Sequence, residues 1–388
     1  MSKTKRIIEC YSDKISVSND EEINFKVHCL SEKFSISFQR IEDNLPLLDI
    51  SNLEGKIQPL RKNAFLGVDW ETSYTLKVPQ NWKSGIYVAK VKTNKEQAYS
   101  FFTVRGTNSE IAVLASTHTW QAYNYWGNAS LYSDIEGCSK SSIVSCNRPL
   151  LSKIPLAIDS MIEEKPFGKQ HIMNYERMLF QWLNNQNYKY DVISDPELHT
   201  QLQYYKILVI GCHSEYWSKE MYKSLEKFLL SGGKLIYLGG NAIYWKIFTK
   251  DSFIKCDKEK QELWRKENSE AKLLGVNYTE TGFKTKAPYK VLNADHWIFK
   301  NTNLKNGDLF CEDGSAWETD KTCESTPDNT LILAKGMNPD EGGAEMTYRN
   351  GVFSVGSVGF TLKLNDPITS QIVKNVFNHF LKEAIKLI

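Results

Sequence analysis

KILVIGCHSEYW, residues 206–217, joins an apolar run directly to a polar one. The apolar part, residues 207–210, is continuous rather than alternating, which is typical of a parallel strand buried on both faces. His213 and Glu215 leave that strand two residues apart, so an extended backbone places both side chains on one face. Open α/β sheets bind ligands at the carboxyl ends of their strands. The segment therefore predicts an α/β domain with a titratable pair at its binding edge.

Strands and helices alternate on both sides of this segment. Residues 111–115 form a second continuous apolar run, and residues 175–183 have the apolar spacing of a helix. Ser218 is a suitable N-cap for a further helix over residues 219–230. We expect a doubly wound α/β domain over residues 107–388.

The first hundred residues have a different pattern, with apolar and polar residues alternating at period two. The alternating segments are residues 14–18, 23–29, 34–38, 73–78, 85–91 and 98–104. Six such segments, with room for another between residues 38 and 73, approach the roughly seven strands of an immunoglobulin-like sandwich. We expect an immunoglobulin-like β-sandwich over residues 1–106.

The bulk composition excludes several classes of protein. With 48 Lys and Arg against 46 Asp and Glu, the chain has no strong electrostatic attraction to nucleic acid or to a membrane surface. The first residues lack the apolar region of a secretory signal, and no window is apolar enough to span a bilayer. The eight cysteines are scattered, which favours reduced thiols over a disulfide scaffold. We expect a soluble cytoplasmic protein of two domains.

The polar residues after the central strand have competing interpretations. Cys212 follows a strand as a nucleophile could, but His213 beside it points to the opposite side, so a buried inert thiol is favoured. The His-x-Glu spacing is shared with zinc deaminases, whose later Pro-Cys-x-x-Cys motif does not occur in this sequence. From the spacing alone, His213 and Glu215 form an ordinary hydrogen-bonded pair.

Three further features admit a functional or a structural interpretation. Asn241 ends a strand after two glycines, where it could donate to an oxyanion or simply form a turn. Residues 119–132 are aromatic, polar and glycine-bearing, which suits either a loop that lines a cleft or an aromatic lid. Glu345 is a lone acid among small and apolar residues, and an exposed strand position would explain it equally well.

Several motifs occur in a fixed order along the chain from residue 119 onward. They are TWQAYN (119–124), SLY (130–132), GCHSEYWS (211–218), GGKLIYLGGN (232–241), HWIF (296–299) and AEMTY (344–348). Together they resemble the carboxy-terminal region of the N,N-dimethylformamidase large (beta) subunit and its relatives, from about residue 111 to the end. This resemblance implies a glutamine-amidotransferase-like α/β domain preceded by β domains. Ser214 departs from the family's His-Asp-Glu-Tyr-Trp form.

The resemblance also implies a metal site and its surroundings. The family's enzyme holds one mononuclear ferric ion through two tyrosines and one glutamate, which carry over to Tyr123, Tyr132 and Glu215. Catalytic roles around the metal carry over to His213, Asn241 and Glu345. Two phenolates and a carboxylate are hard oxygen donors that suit Fe(III), and three protein ligands leave positions open for water and substrate.

The first hypothesis is therefore an iron-dependent amidohydrolase that cleaves the non-peptide carbon–nitrogen bond of a small N-substituted amide or formamide. The metal would polarise the carbonyl or acidify an attacking water, while Glu345 or His213 handles protons and Asn241 donates to the oxyanion. The alternative is a non-catalytic protein that binds a small molecule or glycan in the aromatic cleft. A small amide is the expected partner, and nothing in the chain represents the family's separate small subunit. Homo-oligomers are common among such enzymes, so the oligomeric state stays open.

Overall fold

A computed structural model describes residues 6–132, 137–152, 159–168 and 170–385 of the chain. Its amino-terminal part is built of strands. They are β1 (Ile8–Ser12), β2 (Ser16–Val17), β3 (Glu22–Cys29), β4 (Lys33–Arg40), β5 (Leu48–Glu54), β6 (Tyr74–Lys77), β7 (Gly85–Lys92) and β8 (Gln97–Val104). In the part of the chain that the structure describes, β1, β3 and β6 form one sheet and β2, β8, β7, β4 and β5 another. Alternate side chains of both sheets share one apolar cluster, which explains the period-two pattern.

The remaining elements combine strands with helices. They are β9 (Ile111–Ala115), α1 (Thr117–Ala122), β10 (Ala129–Ser130), β11 (Ser139–Lys140), β12 (Ile143–Ser145), α2 (His171–Asn185), β13 (Asp191–Ser194), α3 (Leu198–Gln201), β14 (Ile207–Cys212), β15 (Tyr216–Ser218), α4 (Lys219–Leu230), β16 (Lys234–Gly239), β17 (Trp245–Lys250), β18 (Phe253–Lys255), α5 (Ala271–Leu274), β19 (Asn277–Thr279), β20 (Lys286–Val291), β21 (Leu309–Ala316), β22 (Thr319–Lys321), β23 (Leu331–Gly336), β24 (Glu345–Arg349), β25 (Val352–Ser354) and α6 (Pro367–Ile385).

The largest sheet within the described ranges has nine strands, in the order β13-β9-β14-β16-β25-β24-β23-β20-β21. Its first five strands pair in parallel, and the others continue it antiparallel. Helices cover both faces of the parallel strands. Val209 of β14 packs in a cluster with α2 and α6, while Leu208 packs in a second cluster with α4. Because β9, β14 and β16 are adjacent and parallel, the segments that follow them emerge side by side at one edge.

Several predicted elements agree with this architecture. The helix over residues 219–230 is confirmed, and the Ser218 hydroxyl accepts a hydrogen bond from the Met221 N–H at its start. β1 (Ile8–Ser12) was not predicted. The glutamine-amidotransferase-like and immunoglobulin-like assignments, and the domain boundary at residue 106, remain predictions. In the described ranges, no helix has the length and apolar character needed to cross a membrane.

Side chains connect the sandwich to the α/β part. The Trp126 indole N–H donates to Glu9 Oε1 at 2.8 Å. The Trp126 ring also meets the Trp70 ring edge to face, with 5.8 Å between centroids. The loop after α1, which carries Trp126, therefore rests against the sandwich.

A buried acid, Glu176 of α2, lies beneath α1. Its Oε1 accepts a hydrogen bond from Trp120 Nε1 at 3.0 Å, while its Oε2 has no hydrogen-bond partner in the described structure. Burial raises the pKa of Glu176 from 4.5 to about 8. The carboxyl is thus neutral in the folded protein at neutral pH but ionised in the unfolded chain. Its contribution to stability is full below about pH 4.5 and is lost as the pH rises through about 8.

We therefore expect Glu176→Gln to flatten the pH dependence of Tm between these two values, because glutamine does not ionise. Thermal unfolding at a series of pH values would measure the effect. Glu324→Gln, at an exposed position, is the matched control and should keep the wild-type slope. Parallel curves for Glu176→Gln and the wild type would contradict the prediction.

Candidate active site

His213 and Glu215 meet at the carboxyl end of β14, as their spacing predicts. His213 Nε2 lies 3.4 Å from Glu215 Oε2, and both side chains are buried. Cys212 has a positive φ of 52° and turns away, with its Sγ 3.4 Å from Thr361 Oγ1. Burial raises the pKa of the Cys212 thiol well above its usual value, so this cysteine is an inert core residue.

Tyr123 reaches the same point from the neighbouring strand. It follows α1, which begins directly after β9, so its ring approaches the end of β14 from one side. The Tyr123 hydroxyl donates to Glu215 Oε2 at 3.0 Å and lies 3.0 Å from His213 Nε2. Thr119 of α1 supports this arrangement, since its Oγ1 accepts a hydrogen bond from the Glu215 N–H at 3.1 Å.

Tyr132, the second tyrosine of the predicted metal site, lies against Tyr123. The two rings stack at 4.6 Å between centroids with 21° between their planes. Residues 133–136 lie outside the described structure. Tyr123 therefore contacts both other predicted ligands, Tyr132 through its ring and Glu215 through its hydroxyl.

A buried guanidinium holds the backbone of the tyrosine loop, residues 121–132. Arg148 has 1% of its surface exposed and, among the described residues, donates only to backbone carbonyl groups. Its Nη atoms donate to the carbonyls of Gln121 (3.3 Å), Asn124 (3.1 Å), Trp126 (2.6 Å) and Ala129 (3.0 Å), and its Nε donates to Ser145 (2.9 Å). One side chain thus fixes the backbone before Tyr123 and within the segment that separates the two tyrosines.

Asn241 and Glu318 lie on the other side of His213. Glu318 was not predicted from the sequence. Asn241 follows β16 with a φ of 53°, and its Nδ2 donates to Glu318 Oε2 at 3.2 Å. Glu318 Oε2 is also 3.4 Å from His213 Nδ1, and the Gly240 carbonyl accepts from that same nitrogen at 3.0 Å. Asn241 Oδ1 is buried and has no hydrogen-bond partner in the described structure. Glu318 reaches the site through the register of β22, which no local sequence pattern indicates.

Glu345 lies apart from this group. It belongs to β24, and its Oε2 accepts hydrogen bonds from the backbone N–H and the hydroxyl of Thr322 at 2.8 and 2.6 Å. It makes no hydrogen bond to His213, Glu215 or Asn241 in the described structure. The structure thus does not join Glu345 to the other predicted site residues, and its catalytic role remains a prediction.

Comparison with known proteins places this chain in a family. Residues 51–375 match the family described as N,N-dimethylformamidase beta subunit-like, C-terminal.

The chain belongs to this family.

The match begins about 60 residues before residue 111, so this dimethylformamidase-like region includes part of the sandwich. Two curated relatives are the N,N-dimethylformamidase beta subunits of Alcaligenes sp and Paracoccus aminophilus. Each is 23% identical to this chain over 423 aligned positions, which cover 81% of this chain and 54% of the relative. The chain therefore spans about half the length of these relatives. Among solved structures, the mmIFT52 N-terminal domain aligns with 52% of this chain and 89% of its own length, at 15% identity and a TM-score of 0.33, a similarity too low to support a conclusion about fold.

In the site, acidic side chains lie on both sides of a cationic one. Burial lowers the pKa of His213, but the charges of Glu318 and Glu215, together with hydrogen bonds to Glu215 and to the Gly240 carbonyl, outweigh it and raise the pKa to about 9. Burial acts to raise the pKa of Glu215, yet His213 lowers it below its usual value. Burial raises the pKa of Glu318, and burial together with the Glu215 charge raises that of Tyr123. The site thus places a protonated imidazole between an ionised carboxylate and one that protonates readily.

Lys258 lies close to three aromatic rings, one of which belongs to Tyr132. Lys258 Nζ lies 5.2 Å from the ring centroid of Tyr132, 5.1 Å from that of Tyr216 and 4.6 Å from that of Trp245. Cation–π attraction favours an ammonium group in such a position. The charge of Lys258 also helps to lower the pKa of Glu215.

Proposed function

We propose that this chain is an iron-dependent amidohydrolase that cleaves the non-peptide carbon–nitrogen bond of a small N-substituted amide or formamide. The observation that carries the proposal is the Tyr123 hydroxyl, which lies 3.0 Å from both Glu215 Oε2 and His213 Nε2 at the carboxyl edge of the sheet. Membership of the dimethylformamidase beta subunit-like family supports the same chemistry.

The residues present fit a hard cation. In the described part of the chain, no group of three or more His, Cys, Asp or Glu residues could hold a metal. The donors proposed here are of another kind, because two of the three are tyrosines. The Tyr123 and Glu215 oxygens lie 3.0 Å apart and could bind one ion together, with Tyr132 as a third donor from the stacked ring. When bound, a ferric ion would act as a Lewis acid toward an amide carbonyl.

The chain's own residues can move the protons that amide hydrolysis requires. His213 carries a proton at neutral pH and can pass it to the departing amine nitrogen. Glu318, 3.4 Å from His213 Nδ1, is placed to exchange a proton with that ring. We propose Glu318 for this role in preference to Glu345, because Glu345 is hydrogen-bonded to Thr322 instead.

Asn241 is placed to orient the substrate. One N–H of its Nδ2 donates to Glu318, which leaves the second N–H for the oxygen that gains negative charge. Its buried Oδ1 lacks a partner in the described structure and could accept a hydrogen bond from a bound water.

A second candidate function is non-catalytic binding of a small molecule or glycan. The observation that favours it is again the Tyr123 hydroxyl, which is fully engaged with protein groups through His213 and Glu215. A cleft tyrosine in a metal-free binding site would make the same contacts. Metal analysis separates the two functions.

We expect the wild-type protein, reconstituted with ferric iron, to bind about one ion per chain and to show a tyrosinate-to-iron absorption band in the visible range. In Tyr123→Phe this band should weaken or shift, because the variant lacks one of the two phenolate oxygens. Elemental analysis and visible spectroscopy would measure both quantities. Tyr125→Phe, two residues along the same loop, is the matched control and should keep the wild-type spectrum.

The spectra would be followed by hydrolysis assays on a panel of N-substituted formamides and small amides, with detection of the released amine. A colourless protein that stays metal-free after reconstitution would contradict the amidohydrolase proposal and favour the binding protein. The same preparation, analysed by light scattering, would show whether the chain self-associates.

A further inference from the structure

Asp320 of β22 is a further buried carboxylate. It lies next to the site but is not one of the proposed ligands or proton carriers. Its side chain is 1% exposed, and it has no hydrogen bond to Tyr123, Tyr132 or Glu215 in the described structure. Oδ1 accepts a hydrogen bond from the Asn241 backbone N–H, and Oδ2 accepts one from the Tyr237 hydroxyl, both at 2.8 Å. Asp320 thus joins β22 to the turn that follows β16.

That turn has little freedom once the bonds are made. The Tyr237 hydroxyl itself accepts a hydrogen bond from the Ala242 N–H at 3.0 Å, so Tyr237 and Asp320 together bind two successive N–H groups of the turn. Asn241, whose N–H is the first of the two, has a φ of 53°, a left-handed conformation that asparagine tolerates better than most other residues. A Cβ on Gly240 would lie 2.6 Å from the Glu318 carbonyl oxygen, so the turn also packs directly on the start of β22.

The two segments that Asp320 joins supply both partners of His213 Nδ1. The Gly240 carbonyl belongs to the turn, and Glu318 precedes Asp320 by two residues. They lie 3.0 and 3.4 Å from Nδ1, while Nε2 faces Tyr123 and Glu215 on the opposite side of the ring. A shift of the turn relative to β22 would therefore move both acceptors of the Nδ1–H at once.

We propose that Asp320 is a positioning residue that fixes the orientation of the His213 ring by holding the turn after β16 on β22. The carboxylate suits this task because both of its oxygens accept, as the Asn241 N–H and the Tyr237 O–H require. Groups that hold a site residue from behind commonly change activity by about 10- to 100-fold when they are altered. The effect on catalysis rests on the proposed amidohydrolase function, whereas the effect on the ring does not.

The test compares full-length wild type with Asp320→Asn, which keeps the shape of the side chain but turns one acceptor into a donor. Proton NMR of the metal-free protein should show a low-field Nδ1–H resonance that is absent from His213→Gln and is shifted or lost in Asp320→Asn. With the amide that the wild type hydrolyses, kcat should fall by about 10- to 100-fold while KM changes little. Asp328→Asn, at an exposed position, should match the wild type in both assays.

A second variant keeps the test decisive if Asp320→Asn does not fold. Tyr237→Phe removes the Oδ2 bond and the bond from the Ala242 N–H but keeps the Oδ1 bond to the Asn241 N–H, and it should cause the same change in the resonance to a smaller extent. If both variants fold, the double variant should be little worse than Asp320→Asn alone, since the two residues act as one unit. An Nδ1–H resonance that is missing from the wild type, or unchanged in the variants, would overturn the proposal. If no amide is hydrolysed, the amidohydrolase function fails while the resonance still decides the role of Asp320.

Discussion

Glu215→Gln should lower kcat/KM for amide hydrolysis by about 10³-fold and should leave the protein with far less than one iron per chain. Glutamine keeps the size of the side chain but removes the negative charge that faces Tyr123 and His213 at 3.0 and 3.4 Å. A carboxylate ligand and the metal that it holds are worth several kcal/mol of transition-state stabilisation, and each 1.36 kcal/mol corresponds to a factor of about ten in rate. Iron analysis and steady-state kinetics on the best amide of the panel would measure the two effects.

The matched control for this variant is Glu226→Gln, which changes an exposed residue of α4. It should bind iron and hydrolyse the amide as the wild type does. The assignment of Glu215 as a ligand would be wrong if Glu215→Gln kept one iron per chain and more than a tenth of the wild-type activity.

The second large effect concerns stability. We expect Arg148→Lys to lower the free energy of unfolding by about 3–5 kcal/mol, because an ammonium group has fewer donors than the guanidinium and leaves buried carbonyls of the tyrosine loop without partners. Burial lowers the pKa of Arg148 to about 10, so the native side chain is still charged at neutral pH. Denaturant unfolding of the metal-free protein at pH 7 would measure the change.

Arg61→Lys provides the comparison, since Arg61 is exposed and pairs with Asp69 on the surface. Its effect should stay within about 0.5 kcal/mol. A loss below about 1 kcal/mol in Arg148→Lys would show that the loop does not depend on the guanidinium. Because the loop carries both tyrosines, the iron band of Arg148→Lys should also differ from that of the wild type.

Local chemistry explains which parts of the fold were predictable. The helix Lys219–Leu230 has its N-cap Ser218, its apolar stripe and the glycines that follow it, Gly232 and Gly233, close together in the sequence, so its bounds could be predicted. His213 and Glu215 could likewise be paired, because the two-residue period of an extended chain decides which side chains share a face. Tyr123 and Tyr132 were placed with them through the family resemblance rather than through spacing.

Glu318, Arg148 and Asp320 were not predicted, and all three act over long distances in the chain. Glu318 lies 77 residues from Asn241, and Arg148 bonds to carbonyls that precede it by 19 to 27 residues, apart from that of Ser145. Their positions depend on strand register and on how loops cross the sheet edge. Neither property has a local periodicity, so an isolated buried arginine or glutamate looks like a surface residue in the sequence.

The contact of Trp126 with Glu9 and Trp70 makes the amino-terminal sheets an outer support of the tyrosine loop. Residues between the two tyrosines are held by Arg148 from within and by this aromatic contact from outside. A fragment that starts after the sandwich would keep every proposed ligand and still lose the surface that sets their separation. Sequence changes in the amino-terminal sheets are thus expected to alter the proposed metal site from a distance.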